Sequence, residues 1–494
     1  MQYIVTKQEM QVIDTFAIEY IGIPDIVMME RAALKLVKQI EKVNSNKGRI
    51  LIVVEGGNNG GDGLAAARIL LERGYAVDIY YIGELTKTTE AFQLQMIILK
   101  NMNISFSKGI PDKDYSVIVD GIFGVGLSRK IEGVHKEIID ALNSMEGIKI
   151  AIDMPTGIDA TTGDILGAAF KADYTVTFVL KKLGMFFSDG IDYCGEVVCT
   201  DIGLPRTAIE EIQPKIYAYD QSDMDKIPKR YNNSHKGTYG KVAVIAGSKN
   251  MSGAAFLCGK AAYSVGAGLV KIYTHESNRT IVQSQLPEAV MMTYEEYGGA
   301  LACVEDVLKW ATVIVVGPGL GVDTTSERML YELMMRAEVP MVLDADALNI
   351  LSNNIELLES ISVPVVMTPH MKEMSRLIDK TPSEIMDNRF EIARDFAKKT
   401  GVTLVLKDAK SVVTDGGEQS YINLAGNNGM STGGSGDVLS GIIAGMIAGG
   451  LSLAEAAKMG TFVHCMAGDK AAEEKGKYAM LASDILNHIE DVLR

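Results

Sequence analysis

The sequence predicts an α/β protein of two domains, each a parallel sheet layered between helices. Three observations carry this prediction. At 494 residues the chain is longer than one core ordinarily serves. Apolar runs of strand length alternate with helical stretches, as in βαβ units. Those runs are continuously apolar rather than alternating, so the sheets they build are covered on both faces.

Each element follows in chain order. The first half places strands at "GRILIVVEGG" (48–57), "AVDIYYIG" (76–83), "YSVIVDGIFG" (115–124), "IKIAIDMPTG" (148–157) and "ADYTVTFVL" (172–180). Helices are expected between them, notably at "GLAAARILLERG" and "HKEIIDALNSM". Around 205–232 the pattern lapses into a proline-bearing stretch of mixed charge, read as a junction. A fresh series follows: "GKVAVIAGS" (240–248), "GLVKIYTH" (268–275), "ATVIVVGPG" (311–319), "VPMVLDADAL" (339–348), "VPVVMTPH" (363–370) and "GVTLVLKD" (401–408). "KSVVTDGGEQSYIN" reads as a hairpin, and a buried helix runs on from Asp437. The halves show no repeat. The expected division is 1–210, a junction at 211–230, and 231–494.

Composition narrows the class. Hydrophobic residues make up 47% and charged residues 22%, as in folded globular chains. The net charge of −15 disfavours a nucleic-acid partner, because phosphate backbones are met by basic surfaces. Five scattered cysteines (Cys194, Cys199, Cys258, Cys303, Cys465), with no histidine beside the one close pair, indicate reduced thiols rather than a zinc site. The opening "MQYIVTKQEM" lacks the apolar core of a signal peptide. The longest apolar stretches are broken by glycine and fall short of the ~20 residues of a membrane span. A cytoplasmic protein without membrane contacts is expected.

In the second half, "NNGMSTGGSGDVLSGIIAG" (427–445) brings a glycine-rich run directly into an apolar helix. Such an entry suits phosphate, because a helix N-terminus concentrates unpaired N–H groups. Asp437 would repel that phosphate unless a metal intervened or the carboxylate acted on a substrate hydroxyl. Other strand ends gather at the same sheet edge: "AGSKNMSGAA", "GPGLG", "DADALN", "TPHMKEMSRL" and "LKDAKS". Taken singly, each has a plain reading. Asp344 and Asp346 fit caps of a helix beginning at Ala347, and His370 fits a satisfied loop imidazole. Together they supply N–H groups, lysines and a carboxylate, the combination phosphoryl transfer needs. A P-loop signature is absent.

"GGSGD" before an apolar helix resembles the terminal signature of ribokinase-like kinases. The longer set, "NSHKGTYGKVAVIAGS", "SGAAFLCGKAAYSVGAGLVKI", "VVGPGLG", "VLDADALNIL", "TPHMKEMSRL" and "VLKDAKSVVTDG", resembles the NAD(P)HX dehydratase branch of that superfamily, from about Asn233 onward. The resemblance implies a ribokinase-like α/β/α domain. Its reaction removes water from NADHX and NADPHX, cofactors hydrated at C6 of the dihydronicotinamide ring, at the expense of ADP carried with Mg2+, leaving AMP and phosphate. Asp437 would accept the hydroxyl proton, and Gly436 would stabilise the moving phosphoryl. Lys407, Asp408, Ala409, Lys410 and Ser411, with Gly436, would contact the nucleotide. Ala254, Gly319, His370 and Asp437 would line the hydrated cofactor.

In the first half, "VVEGGNNGGDGLAAAR" (53–68) is a strand, a Gly/Asn turn and a helix expected to start near Gly63. It reads as a phosphate-binding turn, with Asn58, Asn59 and Asp62 equally readable as plain turn residues. The G-x-G-x-x-G dehydrogenase fingerprint is missing. "VIVDGIFGVGLSRKIEG" and "IAIDMPTGIDATTG" bring Asp120, Asp153 and Thr156 to the same edge. A carboxylate, an amide and a hydroxyl with backbone carbonyls suit an alkali or alkaline-earth cation. With "FVLKKLGMFF", these motifs resemble the NAD(P)HX epimerase domain over about residues 1–210.

That second resemblance implies a Rossmann-like α/β/α sandwich. Asn58, Asn59, Gly60, Gly61 and Asp62, then Gly124, Val125, Gly126, Leu127, Ser128, Arg129 and Lys130, would contact the hydrated cofactor. Asn59, Asp120 and Thr156 would hold K+, and Asp153 would contact substrate as the acid/base. The alternative for Asp153 is positioning alone. The joined domains would recover both C6 epimers, and a homo-oligomer acting on small molecules is expected. The rival reading is a ribokinase-like kinase for a vitamin or sugar, with a non-catalytic nucleotide-binding module in front. A kinase accumulates a phosphorylated product, whereas a dehydratase releases phosphate and reduced dinucleotide.

Overall fold

The computed structural model describes residues 1–83 and 86–494. The chain divides into two compact units, Gln2–Ile216 and Tyr217–Arg494 with Met1. In the first, strand β1 (Gln2–Val5) precedes a sheet built from β2 (Ile50–Val54), β3 (Val77–Tyr81), β4 (Val117–Gly121), β5 (Ile148–Ile152), β6 (Tyr174–Phe178) and, beyond the short β7 (Lys181–Lys182), β8 (Glu196–Thr200). The order is β3-β2-β4-β5-β6-β8, every pair parallel. The strand β1 pairs with β7 beside it.

Alternation along β2 explains the layering. Ile50, Ile52 and Val54 face one side, against Leu36 and Ile40 of helix Asp25–Val43 and Leu64 and Leu70 of helix Asn58–Glu72. Leu51 and Val53 face the other, against Ile138 and Leu142 of helix Val134–Ser144. Every residue of β2 and β4 is buried, which is why β2 reads as an unbroken apolar run and β4 does so up to Asp120 near its carboxyl end. Each such Val, Ile or Leu contributes about 1.5–3 kcal/mol of burial.

The junction stretch is ordered. It carries a helix at Arg206–Ile212, started after Pro205, then β9 (Ile216–Ala218) and a 3₁₀ turn at Gln221–Lys226. In the second unit follow β10 (Lys241–Ile245), β11 (Leu269–His275), β12 (Val290–Tyr294), β13 (Val313–Val316), β14 (Met341–Leu343), β15 (Val365–Met367), β16 (Thr403–Leu406), β17 (Val412–Thr414) and β18 (Ser420–Ile422). The order is β12-β11-β10-β13-β14-β15-β16-β17-β18. It is parallel through β16, and the expected hairpin forms the antiparallel β17–β18 pair.

Helix Ser435–Ala448 begins at Gly434 (φ +91°) and is buried from Val438 to Ile447. Its glycines are dictated by packing. A Cβ on Gly441 would lie 2.1 Å from the Cys258 carbonyl oxygen, and one on Gly445 2.6 Å from that of Ala262. The "GIIAG" spacing thus brings this helix hard against helix Ser252–Ser264 and fixes where its N-terminus points. Among the described residues, no helix is long and apolar enough to cross a membrane. The cysteines are free.

Candidate active sites

In the first unit the chain leaves β2 on one side for β3 and returns on the other as β4, so the sheet order reverses at β2. A crevice opens at the carboxyl ends of strands at such a point. Helix Asn58–Glu72 starts there at Asn58, not near Gly63 as expected. Asn58 to Asp62 are therefore its first turn, capped by Gly57 with no side-chain acceptor, which leaves N–H groups for a ligand. Gly60 is compelled, since a Cβ there would sit 1.8 Å from the Glu55 carbonyl oxygen.

Asn58, Asn59, Asp62, Gly124 to Arg129 and Asp153 line one cavity of about 570 Å³. Gly60 and Gly61 pack behind it, and Lys130 is exposed outside it. Asp153 holds a left-handed backbone (φ +63°) and pairs with the Lys182 ammonium, its Oδ1 also accepting from Thr177 Oγ1 at 3.0 Å. Burial and the carboxylates of Asp153 and Asp14 hold the Asp62 carboxyl well above its usual range.

Asp120 and Thr156 are fully buried beside this cavity. Thr156 Oγ1 donates to Asp120 Oδ1 at 2.6 Å and lies 3.2 Å from the Phe123 carbonyl oxygen. Burial pushes Asp120 up to about 6, against hydrogen bonds from Thr156 and Ile122. The Asn59 amide nitrogen is buried without a partner. The ligand oxygens here are those of Asp120, Thr156 and the Phe123 carbonyl, of the type an alkali or alkaline-earth cation takes, and the Asn59 side chain could add its amide oxygen.

In the second unit, β14, β15 and β16 end side by side, delivering Asp344, His370 and Lys407. These line a second cavity of about 570 Å³ with Asp408, Ala409, Ser411, Gly436 and Asp437. Asp344, 1% exposed, accepts from Lys407 Nζ at 2.7 Å and from Ser440 Oγ at 2.6 Å. Neither Asp344 nor Asp346 caps the next helix. That helix begins at Asp346 after Ala345 at φ +50°, and Asp346 instead accepts the Gly321 N–H at 2.8 Å.

His370 is a cap. Its Nδ1 accepts from the N–H groups of Lys372 and Glu373, and Glu373 accepts from the His370 N–H at 2.7 Å. Ala254 and Gly319 pack on each other and are not among the residues lining this cavity, and Lys410 turns its ammonium onto the Leu424 carbonyl at 2.6 Å.

Asp437 stands in the first turn of helix Ser435–Ala448. Burial, then the Asp344 carboxylate, push its carboxyl up to about 7 against the Lys407 ammonium. Burial depresses Lys407, but Asp344 and Glu373 more than offset this, so it is firmly charged. Three carboxylates thus share one lysine. Among the described residues, no cluster of three histidine, cysteine or acidic side chains is arranged to cage a metal. Asp344 and Glu373 are the carboxylates beside Lys407 that could face a divalent cation carried on a nucleotide.

Sequence reasoning missed several lining residues: Asp14 and Lys182 in the first cavity, Glu373 and His464 in the second. The H-x-x-E capping spacing was a usable signal for Glu373, and the Lys pair in "FVLKKLG" for Lys182. Asp14 has no local signature. His464, 5% exposed and pushed down to about 4 by burial, meets Ser435 Oγ at 3.3 Å.

Comparison with known proteins follows the same division. Residues 25–184 match the family described as YjeF-related protein N-terminus, and residues 242–491 match NAD(P)H-hydrate dehydratase. The chain is 34% identical to the bifunctional NAD(P)H-hydrate repair enzyme of Thermofilum pendens, over 98% of this chain and 95% of that one. It is 36% identical to the protein so described in Moorella thermoacetica, over 100% and 97%. The ADP/ATP-dependent NAD(P)H-hydrate dehydratase from Bacillus subtilis, co-crystallised with ATP and Mg2+, is 27% identical at a TM-score of 0.50, covering 55% of this chain and 96% of that chain. A ribokinase-like superfamily protein from Enterococcus faecalis gives 27% and 0.51, over 56% and 95%.

Proposed function

The chain belongs to the bifunctional NAD(P)H-hydrate repair enzymes, and from that premise we propose how its two cavities divide the work. The first interconverts the C6 epimers of NADHX and NADPHX. The second dehydrates one epimer at the expense of ADP. The observation that carries the second assignment is the Asp437 carboxyl, accepting no hydrogen bond from a described residue, at a glycine-bordered helix N-terminus beside Lys407.

Hydroxide is a poor leaving group, and phosphorylation makes it a good one. Asp437 takes the proton of the C6 hydroxyl as that oxygen attacks the terminal phosphoryl of ADP, releasing AMP. Lys407 and the N–H groups of the Gly434–Asp437 turn take up charge on the moving phosphoryl. Asp344 and Glu373 would hold the magnesium that neutralises phosphate charge. The ring nitrogen then expels phosphate, and loss of the C5 proton restores the dihydropyridine. A hydroxyl-phosphorylating kinase would share the first half of this sequence, but family membership over the whole chain favours repair.

In the first cavity C6 is a carbinolamine carbon, able to lose and regain water with help from nitrogen. Asp153 acts as acid/base, held by Lys182 and Thr177. Asn59, Asp120 and Thr156 would hold the potassium ion whose charge offsets the buried Asp120 carboxylate. The test is to incubate mixed epimers of hydrated NADH with the protein and ADP, or ATP, and follow both epimers and the absorbance of reduced dinucleotide. Full consumption of both epimers is expected. Rapid use of one epimer, with the other lost only at its spontaneous rate, would remove the epimerase assignment.

A further inference from the structure

Asp14 stands near the end of helix Lys7–Thr15, outside the sheet, yet it lines the first cavity with Asp62, Asp153 and Lys182. Asp153 is engaged by Lys182 and Thr177, whereas neither Asp14 nor Asp62 accepts a hydrogen bond from any described residue. Two unpartnered carboxyls in a cavity that already holds an ion pair are costly to the fold alone. A ligand is what they have left to meet.

We propose that Asp14 is the second acid/base group of the epimerisation, the proton donor that works with Asp153. The inference rests on the epimerase reading of this cavity. Because water leaves one face of C6 and adds to the other, epimerisation is served by a proton-transfer group on each side. The Asp14 carboxylic acid gives its proton to the C6 hydroxyl. The C6–O bond breaks, its electron pair leaves with water, and the nitrogen lone pair forms the C=N bond of a cationic ring. Water then adds to the other face of C6, and Asp153 takes the proton it sheds. In the reverse sense the groups exchange roles, and solvent restores both between turnovers.

Asp14 is better placed for this than Asp62. Burial pushes it up to about 6, with Lys182 opposing and Asp153 adding, so it gains and loses its proton near neutrality. Burial and the neighbouring carboxylates hold Asp62 well above its usual range. The other charged groups around the cavity are Asp25 and Arg129. An acid must be protonated to work, so the rate should fall as pH rises through about 6.

The test uses the full chain without nucleotide, so that epimers interconvert but are not consumed, with rates read across pH by NMR in 18O-labelled water. Asp14→Asn should lower kcat by about 10²–10⁴-fold with KM within about three-fold of wild type. It should also abolish the fall above pH 6, while Asp14→Glu restores part of the rate and a displaced fall. Label should enter the C6 hydroxyl during wild-type turnover. An Asn variant of near-normal rate, one that keeps the same pH profile, or one that loses substrate affinity alone would overturn the role for Asp14. A wild-type chain that fails to interconvert the epimers would overturn the epimerase reading beneath it.

Discussion

Lys407 Nζ lies 2.7 Å from Asp344 Oδ1, joining the ends of two strands 63 residues apart, and the other oxygen of that carboxylate holds Ser440 of the Asp437 helix at 2.6 Å. One buried carboxylate thereby fixes both the cation and the helix that carries the reacting group. Removing one partner from such a pair leaves an uncompensated charge and costs about 3–5 kcal/mol. Lys407→Met alone should therefore unfold at lower denaturant. Lys407→Met with Asp344→Asn should recover much of that stability in chemical denaturation while leaving dehydration inactive.

The Asp437 carboxyl accepts a proton only when ionised. With its pKa near 7, dehydration should rise with pH and reach half its plateau near that value. The Asp344 carboxylate is the second-largest cause of the elevation, so Asp344→Asn should move the half-rise to lower pH. Rate–pH profiles at saturating ADP check both statements.

Gly441 sets the depth of the helix, because a Cβ there would meet the Cys258 carbonyl oxygen at 2.1 Å. Gly441→Ala should cost about 1–3 kcal/mol by overpacking and should lower dehydration more than epimerisation. Thermal unfolding and separate assays of the two activities measure the pair of effects.

Thr156 Oγ1 joins Asp120 to the Phe123 carbonyl in the oxygen cluster of the first unit. Thr156→Val removes one oxygen from the set and leaves Asp120 short of a donor. Epimerisation by the wild type should be faster in potassium than in choline salts, and the variant should lose most of that difference. Equal rates for the wild type in both salts would count against a cation at this cluster.

How much of this was legible in the sequence depended on the range of the interaction. The strand runs were plain because burial on both faces leaves β2 apolar throughout and β4 apolar up to Asp120. Asp437 was plain because glycines crowd a helix entry for a local reason. Helix starts were misplaced at Asn58 and Ser435, where Asn, Gly and Ser form first turns that propensity assigns to loops. The sequence leaves Asp344 open between a cap and a site group, because its partners, Lys407 and Ser440, lie far along the chain. Asp14 sits on an amphipathic helix with no motif, and only the fold brings it to the cavity.

The most direct measurement compares wild type with Asp437→Asn on mixed epimers of hydrated NADH in the presence of ADP. The wild type should convert the entire pool to reduced dinucleotide with one phosphate released per molecule. The variant should still interconvert the epimers but form reduced dinucleotide no faster than buffer. Regeneration by the variant at the wild-type rate would contradict the account.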